Sequence, residues 1–132
     1  MKKLKLIGIV LAVLVVAGYI VTSVVPKPMS ADLSLIGQGK PSLVLAYENY
    51  SPGGGDALMR LKQIRSDYES RLNFIVADLG TPGGRTFANR YQVVDGQAAL
   101  LAANGQPLGT LFIPADEPLL RQYLDEKLAA AE

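Results

Sequence analysis

Apolar positions fall into two regimes along this chain. From Leu6 to Val25 they form a run with no charged residue, preceded by Lys2, Lys3 and Lys5 and followed by Lys27. At about 1.5 Å per helical residue, about 20 residues span the roughly 30 Å apolar core of a bilayer, so the run predicts one transmembrane helix. After Pro26 the pattern becomes that of a globular domain. Ser42 to Tyr47 is nearly all apolar between Pro41 and a polar loop, as a strand buried on both faces should be. Leu58, Leu61, Ile64, Tyr68 and Leu72 then recur at steps of three and four, which predicts a helix over Asp56 to Arg71. Its other face, Arg60, Lys62, Gln63, Ser66, Asp67 and Glu69, is solvated surface. Two starts compete for this helix: Ser51 as cap with Pro52 in the first turn, or Asp56 as cap. Each of Gly53, Gly54 and Gly55 would cost about 1 kcal/mol in a helix interior, which favours the later start or a frayed first turn.

Shorter segments complete the order. Ser30 to Gly37 reads as a helical turn capped by Ser30, with Leu33, Leu35 and Ile36 against a sheet. Phe74 to Ala77 is a second strand, parallel to the first across the intervening helix. Gly80 to Gly84 is expected as a loop, followed by a short helix carrying Phe87, Ala88 and Tyr91 and a polar turn at Asp95-Gly96-Gln97. Ala98 to Ala103 and Leu108 to Ile113 form a hairpin through Asn104-Gly105, a strong turn signal, and Pro107 and Gly109 suit the second of them to a sheet edge. Asp116 caps a last helix, Glu117 to about Ala130, with Leu119, Leu120, Tyr123, Leu124 and Leu128 as its buried stripe.

Residues 1–25 are thus a basic segment and membrane anchor, residues 26–30 a proline-containing spacer, and residues 31–132 one soluble domain. A cleaved signal peptide has an apolar core of about 7 to 15 residues, shorter than this run, and Met29-Ser30-Ala31 is a poor cleavage pattern. The uncleaved anchor is therefore favoured over secretion after cleavage. Lysines gathered before the run favour a cytoplasmic N-terminus and an exported domain, and so compact an anchor suggests a bacterial cytoplasmic membrane with the domain in the periplasm or outside. Thirteen cations, three of them before the run, against twelve acids after it leave the exported part at −2, which offers no basic footprint for nucleic acid.

Chemistry is bounded mainly by what is missing. With no cysteine and no histidine, the chain makes no disulfide, thiolate, imidazole base or usual zinc site, and no cofactor or metal is expected. In open α/β sheets, ligands sit beyond the carboxyl ends of the strands, which here means Glu48 to Asp56. Glu48 and Asp56 read there as a solvated acid and a cap, and Ser51 as a cap before Pro52. Gly53-Gly54-Gly55 lacks the lysine and hydroxyl of a phosphate-binding loop and reads as a turn.

This order of elements resembles the thioredoxin family over Ala31 to Glu132, a three-layer α/β sandwich of order β-α-β-α-β-β-α around a mixed four-stranded sheet. YQVVDGQAALLAANGQPLG is similar to that family's run from short helix to fourth strand, and Ser42 to Arg71 to its strand, active-site loop and long helix. The resemblance places the family's Trp-Cys-Gly-Pro-Cys loop on Tyr50, Ser51, Pro52, Gly53 and Gly54, its buried acid on Leu45, and its cis-proline on about Gln97. Both cysteine positions are lost, so dithiol exchange is excluded. The resemblance implies a redox-inactive, membrane-anchored module that binds or scaffolds a protein or peptide. Tyr50, Ser51 and Pro52 would form its contact face, with Gly96 and Gln97 as a strand-pairing loop. Two alternatives are a glutathione- or thiol-binding enzyme using Ser51 or Tyr50, and a structural membrane subunit.

Overall fold

The computed structural model describes residues 2–24 (21–24 by backbone alone) and 28–131. Helix α1, Lys2–Val24, is exposed along its apolar length over residues 2–20, and its Lys2–Ile20 part is long and apolar enough to cross a membrane. Val25 and the expected spacer's Pro26 and Lys27 lie outside the described residues.

Ser30 enters the domain by lying parallel to Ile75, and its carbonyl accepts the Val76 N–H at 2.8 Å. The turn that follows is a single 3-10 turn, Leu33–Leu35, and its cap is Asp32 rather than Ser30. One Asp32 carboxylate oxygen accepts from both the Ser34 N–H and the Ser34 hydroxyl, while Ser30 Oγ accepts only from the Asp32 N–H, outside the turn. The remaining elements are β1 (Ser42–Tyr47), α2 (Pro52–Tyr68), β2 (Asn73–Asp78), α3 (Pro82–Tyr91), β3 (Gln97–Leu101), β4 (Pro107–Phe112) and α4 (Glu117–Ala131). The strands form one mixed sheet in the order β2-β1-β3-β4, with β1 parallel to β2 and antiparallel to β3, and β3 antiparallel to β4.

Strand alternation divides the core in two. Leu43, Leu45, Ala98 and Leu100 point to one face and meet Leu61, Ile64 and Tyr68 of α2 and Leu120, Leu124 and Leu128 of α4. Val44, Ala46, Ala99 and Leu101 point to the other and meet Ile75, Ala77, Phe87, Ala88 and Val93 beneath α3. SLVLAY carries almost no polar residue because β1 is central and both of its faces are covered.

Four boundaries differ from expectation. Helix α2 begins at Pro52 with Ser51 as its cap, so the glycines are helical and Asp56 is not the start. It also ends earlier, at Tyr68, where Glu69 N–H still reaches the Arg65 carbonyl and Lys40 donates to the Glu69 carbonyl. Helix α3 takes in Pro82 to Gly84 of the expected Gly80–Gly84 loop because Thr81 caps it, its hydroxyl oxygen accepting from Gly84 N–H at 3.1 Å while donating to the Asp78 carbonyl at 2.8 Å. The hairpin turn takes in Ala102 and Ala103, shortening β3, since Gly105 at φ 88° needs a wider turn closed by Gly105 N–H on the Ala102 carbonyl.

Candidate functional site

The carboxyl ends of β1 and β2, the start of β3 and the end of β4 all lie at one end of the sheet, where the loop from Glu48 to Ser51 leads into α2. Ser51 N–H closes a turn on the Glu48 carbonyl at 3.1 Å. Tyr50, at the tip, is 98% exposed. Pro52 is exposed at the first helical position, where its fixed φ fits and no N–H is needed. The Ser51 side chain makes no capping bond, so the cap is supplied by another residue.

That residue is Asp95. One carboxylate oxygen accepts from the Glu48 N–H at 2.8 Å and the other from the Gly54 N–H at 3.0 Å. The carboxylate therefore sits on the positive end of α2 and ties the loop after β1 to the loop before β3. Gly54 makes this possible. A Cβ there would lie 2.1 Å from Asp95 Oδ1 and 3.1 Å from a Tyr47 ring carbon, so any side chain would collide with the clasp. Sequence reading treated Asp95 as an ordinary turn residue. The usable signal was an acid facing a glycine-rich helix start with no other carboxylate cap.

Gly96 and Gln97 stand beside this clasp but are already engaged. Gly96, at φ 83°, donates its N–H to the Ala46 carbonyl at 3.0 Å, and its carbonyl accepts from Ile113 N–H. Gln97 N–H bonds the Val94 carbonyl at 2.9 Å, and its side-chain oxygen accepts from Val94 N–H at 3.2 Å. The expectation that Gly96 offers a free backbone edge for an incoming strand is thus corrected: the sheet itself uses both of its polar groups. The Asp95 clasp holds the loop that carries Tyr50, Ser51 and Pro52 against the loop that carries the exposed Val94, Gly96 and Gln97.

Little reactive chemistry is available here. Leu45, where the resemblance puts a buried acid, is sealed in the core with no exposure. Among the described residues no group of three or more acidic, histidine or cysteine side chains is placed to hold a metal ion. A shallow cleft of about 410 Å³ lies on the other side of the same end, lined by Asp32, Ser34, Asp78, Thr81 and Gly84. Its polar groups are committed to local turns. Gly84 packs so tightly that a Cβ would lie 1.9 Å from the Asp78 carbonyl oxygen.

The sheet order and the layers can now be set against solved structures. The chain aligns with a thioredoxin from Thermus thermophilus at 21% identity and TM-score 0.62, covering 82% of this chain and 95% of that one. It also aligns with an uncharacterised thioredoxin-like protein from Clostridium perfringens, at 14% identity and TM-score 0.64 over 74% and 79% of the two chains. The fold is thioredoxin-like. A third match is a chain from a structural study of thiol resolution in yeast mitochondrial 1-Cys peroxiredoxin, at 16% identity and TM-score 0.61 over 76% and 97%. No protein-family model and no curated protein matches the chain. In this thioredoxin-like chain the absence of cysteine rules out exchange through its own thiols.

Proposed function

We propose that this chain is a membrane-tethered, redox-inactive thioredoxin-like module that holds a protein or peptide partner on the exported side of a bacterial cytoplasmic membrane. The observation that carries the reading is the pairing of an almost fully exposed Tyr50 with a rigid support. Its loop is held by the Ser51–Glu48 turn and by the Asp95 clasp, so the backbone that carries this large amphipathic ring has little entropy left to lose on binding. Val94, 57% exposed on the facing loop, extends the apolar surface, and Ser51 and Pro52 complete it. No histidine exists to activate the Ser51 hydroxyl, which supports holding over converting.

The apolar reach of α1 and the lysines before it support the tether and its orientation. Ser30 is fixed to β2, and the six steps from Val24 to Ser30 span at most about 20 Å, so a membrane-embedded α1 would keep the domain close to the surface.

Affinity capture from membranes tests the proposal. The wild-type chain should retain a specific partner that Tyr50→Ala and Val94→Asp lose while their thermal unfolding is unchanged. Identical partners for all three chains would refute the assigned face. Turnover of any thiol or disulfide compound by the purified chain would refute the non-enzymatic reading. Glutathione binding lost on Ser51→Ala would do so too.

A further inference from the structure

The segment that leads into the domain has a fixed direction. Ser30 lies parallel to Ile75 of β2, its carbonyl accepts the Val76 N–H at 2.8 Å, and Met29 packs against the core on the side of α2 and α4. Residues 28–30 therefore run with β2, from the level of Asn73 towards that of Asp78, and the chain enters at the amino end of the strand. Tyr47 of β1 stands level with Asp78, and the loop that carries Tyr50 begins beyond it. The five residue steps from Asn73 to Asp78, at about 3.3 Å each, put that loop about 17 Å above the entry.

Charge is divided between the same two ends. Glu48, Asp56, Asp78, Asp95 and Asp116 lie at the Tyr50 end, and none of them is in an ion pair among the described residues. Arg60 and Arg85 are the arginines that reach this end, and each donates to a backbone carbonyl, of Ile113 at 3.0 Å and of Leu79 at 3.4 Å. At the entry end Arg65 pairs with Glu69 and Arg71 with Asp125, while Lys40 donates to the Glu69 carbonyl and has no carboxylate of its own. A bilayer that carries anionic lipid repels the Tyr50 end more than the entry end.

We infer that the tether stands the domain on its entry end, so that the Tyr50 face points away from the bilayer and takes its partner from the aqueous phase, a water-soluble protein or peptide and not an integral membrane protein. The inference rests on the proposed insertion of α1. The four steps from Val24 to Pro28 span at most about 14 Å, so the entry end stays near the headgroups while the Tyr50 loop stands about 17 Å farther out.

Energy transfer to the membrane surface measures both heights. The chain has no cysteine, so full-length Tyr50→Cys and Ser70→Cys each take a single donor dye, one at the exposed tip of the loop and one on the exposed turn between α2 and β2 at the entry end. Each is reconstituted into vesicles of phosphatidylethanolamine and phosphatidylglycerol that carry an acceptor dye on their headgroups. The label at residue 50 should lie at least about 10 Å farther from the headgroup plane than the label at residue 70. Equal heights, as a domain lying on its side gives, would overturn the inference, and so would a label at residue 50 nearer the bilayer. Flotation of the same vesicles separates this failure from that of the tether. A chain left in the aqueous phase refutes the insertion of α1 and the inference with it, whereas a chain that floats with equal heights refutes the orientation alone. A Tyr50-dependent partner found only among integral membrane proteins would overturn the assigned class of partner.

Discussion

Replacing Gly54 by alanine tests the clasp directly, because the expected damage depends on a residue 41 positions away. In the native structure the new Cβ would lie 2.1 Å from Asp95 Oδ1, so the carboxylate must leave. It then loses its bonds to the Glu48 and Gly54 amides. Hydrogen bonds to a charged group contribute about 1.5–3 kcal/mol each, with the lower end fitting a half-exposed carboxylate. The interaction with the helix end adds about 0.3–1 kcal/mol. Alanine returns up to about 1 kcal/mol through its better helix propensity. The single substitution should therefore destabilise the domain by about 2–3 kcal/mol. Asp95→Ala removes the same bonds and should cost a similar amount. The double variant is the decisive chain: with the carboxylate gone the Cβ enters the vacated space, and only the Tyr47 ring carbon at 3.1 Å has to give slightly. Gly54→Ala should then add little, leaving a coupling of about 2 kcal/mol between the two sites. For a domain of this size each kcal/mol moves the melting temperature by about 4–8 °C, so thermal unfolding followed by near-ultraviolet circular dichroism resolves the cycle. Additive effects, or a Gly54→Ala chain as stable as wild type, would refute the clasp.

Two further outcomes follow from buried polar groups. The Ser42 hydroxyl is fully buried without a hydrogen-bond partner, so Ser42→Ala should leave stability unchanged or raise it by up to about 1 kcal/mol in urea unfolding, and a loss above about 1 kcal/mol would show a bond the hydroxyl does make. Burial and then the hydrogen bond to Asp125 push the Tyr68 hydroxyl above its ordinary value of 10.0. A raised folded value means the folded state holds its proton longer, so this contribution is complete below about pH 10 and is lost as pH rises towards the folded value. Tyr68→Phe should flatten that alkaline fall in stability, and an unchanged pH profile would contradict the assignment.

The elements that could be read from sequence were those whose cause is local. Steps of three and four in α2 and α4, the apolar run of β1 and the Asn104-Gly105 turn each state their own structure, and the order of elements along the chain followed from them, although Leu119, expected in the buried stripe of α4, is 54% exposed. The errors came where a distant group decided the outcome. Three glycines disfavour an early start for α2, yet it starts at Pro52, where the Asp95 carboxylate caps the first turn from the loop before β3. The start of α3 is different: its signal is local, Thr81 as cap with Pro82 in the first turn, and two glycines at residues 83 and 84 hide it. Tyr50 was identified as a candidate contact, but its exposure and the bracing of its loop depended on the same unseen carboxylate.

The position of Asp95 also decides whether a thiol pair could work at this site. A thiolate at the tip of α2 would need the helix-end amides free and a nearby acid to move its proton. In this chain the Gly54 amide is occupied by a permanent internal carboxylate, the space of a side chain at residue 54 is filled by that carboxylate, and Leu45 is packed in the core with no polar atom to offer. Placing cysteines at Ser51 and Gly54 would therefore not create an exchange site. The second thiol would meet Asp95 before it met the first, and a folded Ser51→Cys, Gly54→Cys chain should form its disulfide readily only when Asp95→Ala is added. If the two cysteines closed equally fast with Asp95 in place, the carboxylate would not be the obstruction the geometry describes.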